Sequence, residues 1–122
     1  MTYTYAFEKL QVWHDARNLV KLVYTVTEQF PATEKYGLTS QMRRAAVSVV
    51  SNIAEGSGRT SPKDQAHFYQ LAFGSLIELL NQFIIANDLD HISQNVIMDI
   101  RTEIEKVSNK LNALRKSRLQ NK

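Results

Sequence analysis

The sequence predicts an all-α protein, an up-down-up-down antiparallel four-helix bundle in which residues 1–122 form one domain. Three observations carry that prediction. Only four Gly and two Pro occur in 122 residues, and both Pro stand where helices would break, which favours long helices over strands and turns. Four stretches of apolar residues recur at helical spacing with short connections between them. The last of these, Ile97, Ile100, Ile104, Val107, Leu111 and Leu114, steps by 3, 4, 3, 4 and 3, a heptad seam suited to helices crossing at about 20°. Apolar residues make up 43% and charged residues 22%, enough for a core that needs no disulfide or metal to hold it.

The first helix is expected over about residues 8–29. Val12, Trp13, Ala16, Leu19, Val20, Val23, Val26 and Thr27 share one face, while His14, Arg17, Asn18, Lys21, Thr25 and Glu28 look away. Phe30-Pro31 ends it, because a residue before proline is pushed out of the helical region. The second helix, about 38–56, has either Thr33 or Thr39 as its cap. Its AVSVV segment also suits a strand, but apolar spacing continues from Met42 to Ile53, past the length of a usual strand. Gly56-Ser57-Gly58 is expected to stop it in a left-handed C-terminal turn.

Ser61-Pro62-Lys63-Asp64 reads as the start of a third helix, about 62–86: a serine cap, proline at the first position and an acid in the first turn. Phe68, Tyr69, Ala72, Phe73, Leu76, Ile77, Leu79, Leu80, Phe83 and Ile84 form its apolar side; Gln82 falls on the polar one. Gly74 inside it costs roughly 1 kcal/mol relative to alanine, which a close neighbouring helix would offset. The fourth helix is expected over about 93–117 with Ser93 as cap, and KSRLQNK is expected to fray with the chain's other end.

The second helix has more apolar surface than one core requires. Met42, Ala45, Ala46, Val47, Val49, Val50, Ile53 and Ala54 spread over an arc of about 200°, twice the stripe a helix on a single core needs. Val47, Val50 and Ala54 are therefore expected to meet a neighbouring subunit. Arg43 falls beside Val50 and Ala54, where it either reaches a carboxylate across that interface or snorkels to water along its stem. Arg44, Asn52 and Glu55 lie in the polar arc; with Glu78 they form a candidate polar cluster, Glu55 and Glu78 being possible partners for either arginine.

Charge is uneven. The net charge is +3, yet residues 106–122 hold Lys106, Lys110, Arg115, Lys116, Arg118 and Lys122 with no acid. Lys106, Lys110, Arg115, Lys116 and Arg118, with Arg59, are candidate phosphate contacts; a solvated helix end with dipole-complementing cations is the plainer reading. Ser57 to Ser61 resembles an anion nest but lacks the Gly-Lys-Ser/Thr ending of a phosphate loop, so a serine-capped turn is expected there. His14, His67 and His91 have no metal-ligand spacing, and no nucleophile–base–orienter set can be assembled. The absence of Cys excludes thiol chemistry and disulfides. No secretory signal or run of ~20 apolar residues is visible, so a cytoplasmic protein is expected.

Several motifs together resemble one family. They are Phe7 to Trp13 (FEKLQVW); Phe30-Pro31 followed by Glu34 to Leu38; Gln41, Arg43 to Ala46, Ser48 and Asn52 to Gly56; and Gly74-Ser75 with Glu78-Leu79. In this order they resemble the four-helix-bundle proteins of the 23S ribosomal RNA intervening-sequence family. The resemblance implies a homo-oligomer, with family members forming a ring-like pentamer. It also implies similarity to the accessory protein of diversity-generating retroelements, which engages nucleic acid and a reverse transcriptase through a basic helical barrel. It tips Arg43 towards the interface. The expected protein is a non-enzymatic homo-oligomeric scaffold, with itself and RNA or a ribonucleoprotein as partners, and no cofactor, metal, membrane or small-molecule substrate. The alternative is a protein–protein assembly module with no nucleic-acid ligand.

Overall fold

The computed structural model describes residues 2–120, and these form four helices in a closed ring: α1 Gln11–Thr27, α2 Leu38–Ser57, α3 Pro62–Asp88 and α4 Gln94–Gln120. Each packs on the next and α4 returns to α1; the α2–α3 seam is the most extensive and the α1–α4 seam the thinnest. Among the described residues there is no strand.

The central seam follows from small residues on α2. Ala45, Ala46, Val49, Ile53 and Gly56 are buried, as are Tyr69, Ala72, Leu76 and Leu79 of α3. Gly56 lies within the helix, and it is not left-handed: among the described residues the only positive φ is that of Asp90, at 62°. The reason for glycine is contact. A Cβ there would stand 2.8 Å from Tyr69 Cε1 and 2.9 Å from Phe68 Cβ. Gly74 reverses its expectation too. No neighbouring helix of this chain approaches it, and a Cβ would meet open space.

Local chemistry set the ends of the helices. The expected first helix is broken in two: Ala6–Lys9 make a separate 3-10 turn, Leu10 is extended, and α1 starts at Gln11. Neither threonine caps α2. The Glu34 carboxylate does, its Oε1 accepting from Leu38 N–H at 3.2 Å, while Thr39 is buried in the first turn. Ser61 Oγ accepts from Asp64 N–H at 3.1 Å, and Ser93 Oγ from Val96 N–H at 3.2 Å, as their sequence contexts imply. α4 does not fray after Leu114 but stays helical through Gln120; Asn121 and Lys122 lie outside the described residues.

An ion pair binds the thin α1–α4 side, and a hydrogen bond binds the loop end. Lys110 Nζ donates to Asp15 Oδ2, joining α4 to α1. His91, in the α3–α4 connection, meets Glu34 Oε2 at 2.9 Å, joining it to the α1–α2 connection. Partial burial raises the Asp15 pKa, but hydrogen bonds from Lys110 and Gln11 outweigh that and hold it below its ordinary value. The hydrogen bond from His91 and that from Leu38 N–H likewise lower Glu34.

On α3, Ile77 and Ile84 face outward with Leu71 and Ile85, whereas Gln82, assigned to the polar side, is buried. Helical periodicity located a wide apolar arc without locating which part of it meets α2 and α4. By length and composition α3 is, among the described residues, the one helix that reaches the values of a membrane span; only 33% of that stretch is buried in the bundle.

Gly56→Ala should lower stability by about 1–3 kcal/mol through overpacking against Tyr69 and Phe68, whereas Gly74→Ala should raise it by up to about 1 kcal/mol. Urea denaturation of the two variants checks both signs. Because the folded pKa values of Asp15 and Glu34 are depressed, their contribution is present above the unfolded carboxylate pKa and is lost as pH falls through the folded ones. Melting temperature should therefore drop with acid in that window, and less steeply in Asp15→Asn and Glu34→Gln, as thermal melts would record.

Candidate nucleic-acid interface

The corner where α1 turns into α2 is built around Arg43. Thr27, in the last turn of α1, bonds its hydroxyl back to Val23 O at 2.7 Å, leaving a lone pair for Arg43 Nε at 2.9 Å. The same guanidinium reaches Tyr24 O at 3.4 Å and Glu28 Oε2 at 3.3 Å, and stacks 4.5 Å over the Tyr24 ring. It thus adds a charged donor to the Thr27 hydroxyl and to the Tyr24 carbonyl, which also accepts from Glu28 N–H at 3.1 Å, at the C-terminal end of α1, where a cation is favoured by the helix dipole. The expected carboxylate partner exists, but it is Glu28 of the same chain. Within the chain the guanidinium is therefore held on α1 and does not simply snorkel along its own helix to water.

Around Arg43 opens a groove of about 510 Å³, lined by Tyr24, Lys35, Tyr36, Thr39, Ser40, Arg43, Arg44 and Val47. Lys35 Nζ lies 5.4 Å over the Tyr36 ring, which is 86% exposed. Arg44 is exposed and, among the described residues, takes part in no hydrogen bond or ion pair. The aromatic residues here were missed from sequence. Tyr24 sits on the outward side of α1 and Tyr36 in a connection, and only folding brings them beside the arginines. The available signal was an aromatic next to Lys35 in a loop with no core to fill.

Val47 is 41% exposed, but Val50 and Ala54 are half-buried along a second groove of about 470 Å³. Its other walls are Phe7, Trp13, Arg17, Val20, Lys21 and Ser51 of the same chain. The 3-10 turn thus brings Phe7 alongside part of the surface expected to need a neighbour, and the Phe7 and Trp13 rings meet edge to face at 4.9 Å. A third groove of about 580 Å³ separates α1 from α4 beside Leu22, Val26 and Val96.

The expected polar cluster is split. Asn52 Nδ2 donates to Ser48 O at 2.9 Å and to Ser48 Oγ at 3.1 Å, and Ser48 Oγ meets Ser75 Oγ at 2.9 Å across the α2–α3 seam. Glu55 pairs with Arg59 at 3.7 Å on the surface, and Glu78 accepts from Gln82 at 3.3 Å. Arg44 joins none of them, since the helical rise puts it about 16 Å from Glu55 along the same helix.

The C-terminal cations also separate. Lys106 is paired with Glu103 at 3.3 Å and Lys110 with Asp15. Arg115 and Arg118 are half-buried, each with a buried Nε that has no hydrogen-bond partner, and among the described C-terminal cations Lys116 alone is both exposed and unpaired. Burial raises the pKa of the Tyr69 phenol, and the Arg118 charge beside it pulls the other way. Arg59 stacks 4.3 Å over Phe68 next to its pair with Glu55, and Ser57–Ser61 is a plain serine-capped turn. No three His, Asp or Glu side chains converge as metal ligands among the described residues.

Together these features define a four-helix protein that carries cations, open aromatic rings and apolar grooves on its helices' outer faces and on the connections between them. The chain belongs to the 23S rRNA-intervening sequence protein family, whose model matches residues 8–113. It is similar in fold to a solved protein of unknown function from the S23 ribosomal protein family of Bacteroides thetaiotaomicron. The two superpose with a TM-score of 0.77 at 15% identity, covering 86% of this chain and 98% of that one. No curated protein matches the chain.

Arg43→Ala should cost about 1.5–3 kcal/mol, the range for hydrogen bonds made by a charged group, because Thr27 and the end of α1 lose their donor. Arg43→Lys should recover less than half, lacking the planar fork. Denaturant midpoints of the three proteins test this, and a fully rescuing lysine would contradict it.

Proposed function

We propose that the protein is a non-enzymatic homo-oligomeric scaffold that associates with RNA through basic surface. One observation supports this most: the outer face of α3, with Leu71, Ile77, Ile84 and Ile85 exposed around an open Gly74. Scattered apolar residues on a surface are ordinary, but here they share one face of one helix. No Lys or Arg occurs between Lys63 and Arg101, so the charges of α3 after that lysine are acidic, Asp64, Glu78 and Asp88.

The groove beside Val50 and Ala54 is complementary. It is apolar along Phe7, Trp13 and Val20, and Arg17 and Lys21 stand at its walls. The α3 face of one copy laid on that groove of the next pairs apolar with apolar and acid with base. Such a contact is head-to-tail, and successive copies close a ring where the rotation permits, the pentamer implied by the resemblance being one solution.

For RNA, the support is the family's name, with its tie to 23S rRNA, and a basic bundle end. Arg59, Lys63, Arg115, Lys116 and Arg118 come from the α2–α3 connection, the first turn of α3 and the end of α4. Lys106 and Lys110 contribute less, being occupied by Glu103 and Asp15. Repetition in an assembly would multiply the field of that end.

Light scattering of the wild type should give a multiple of the 14.0 kDa chain mass. Ile77→Lys with Ile84→Lys should give a monomer with unchanged helix content by circular dichroism. A monomeric wild type at tens of micromolar, roughly the range where weak interfaces still assemble, would defeat the oligomer reading. Affinity for a structured 23S rRNA fragment should fall linearly on a log–log salt plot and weaken in Arg59→Ala/Lys116→Ala. A protein partner that survives nuclease and high salt, together with no RNA binding, would instead favour an assembly module.

A further inference from the structure

We infer that the groove at the α1–α2 corner seats an unpaired nucleotide of RNA, its base stacked on Tyr36 and its flanking phosphates held by Lys35 and Arg44. This rests on the RNA-binding reading above, and it names which chemistry of RNA is held and where.

Tyr36 is more exposed than any other large apolar or aromatic side chain among the described residues. A ring in that state has an open face, and every base has a face to lay on it. Lys35 already covers the ring as a cation 5.4 Å from its centre, and its flexible stem lets the ammonium move to a phosphate when a base takes that place. Arg44 is presented on the first turns of α2 with nothing to neutralise it among the described residues. The acids nearest in sequence are already engaged: Glu28 by Arg43 and Glu34 by His91. The groove is therefore cationic as well as aromatic, and at about 510 Å³ it is of the size of a small-ligand site.

Rigidity sets the spacing. Arg43 is tied to Thr27, Tyr24 and Glu28, so the floor of the groove is locked while Tyr36, Lys35 and Arg44 at its rim are free to engage. A duplex keeps its bases stacked on each other and cannot offer one to Tyr36, so a loop, bulge or single strand is the matching ligand. An acidic peptide would use the cations but leave the ring face unused.

The test is fluorescence anisotropy at low salt with the full-length protein and a labelled oligouridylate of about 12 nucleotides, within the span of known single-strand sites. A duplex RNA of equal length and Arg59→Ala/Lys116→Ala serve as comparisons. Tyr36→Ala should weaken single-strand binding about 5- to 100-fold, as loss of a stacking ring does, and Tyr36→Phe should stay within about twofold of wild type. Arg44→Ala should lower the salt slope by roughly the 0.7 expected for one single-strand phosphate contact. If wild type binds and Tyr36→Ala binds equally well, the groove is not the site although the RNA-binding reading stands. If wild type binds neither RNA, both fall. Displacement of the oligonucleotide by polyglutamate at equal charge concentration would assign the groove to an acidic protein partner and overturn the proposal.

Discussion

The close approach of α2 to α3 is the constraint on which the rest of the structure depends. It needs no side chain at position 56, because Tyr69 and Phe68 fill the space a Cβ would take. With the helices that near, Ser48 and Ser75 share a hydrogen bond and Asn52 donates to Ser48, so these three side chains are paired, whereas Oε1 of the buried Gln82 further along α3 has no partner. α1 and α4 then lean on this pair from opposite sides and barely meet each other. Their contact is supplemented by charge, through Asp15 and Lys110, where the apolar contribution is thin.

That asymmetry explains why the surface has grooves. Where helices are held by one ion pair or by a 3-10 turn, grooves open and apolar walls stay visible. α3 shows the same logic from outside. Its inner face is consumed by the seam and by α4, and no element among the described residues covers the remaining Leu71, Ile77, Ile84 and Ile85. Acidic α3 and the cations beside the α1–α2 groove are segregated on one molecule, and a modest net charge of +3 conceals that.

Arg43 illustrates how a side chain's role depends on what faces it. On a wheel of α2 alone it stands among apolar residues and looks like an interface contact. In the fold the end of α1 lies opposite, and the Thr27 hydroxyl, the Glu28 carboxylate and the Tyr24 carbonyl, which also takes the Glu28 N–H, all accept from Arg43. The arginine is drawn there, and the exposed cation of the pair is Arg44. The C-terminal cations follow the same rule. Read along the chain they make one basic run, but helical spacing turns Lys106 and Lys110 to acids and folds Arg115 and Arg118 partly into the bundle end.

What the sequence determined by itself is what local periodicity and capping encode. The four helices, the buried heptad seam from Ile97 to Leu111, the Ser61 and Ser93 caps and the family were all legible, since each depends on residues within a few turns of one another. Tertiary structure alone decided which part of each apolar arc is inside, why Gly56 is glycine, and that Tyr24 and Tyr36 flank Arg43 and Arg44. Those outcomes depend on which helix lies opposite and how near it comes. A helical wheel contains no neighbour, so it specifies how wide an apolar face is but not which part of that face the neighbour covers.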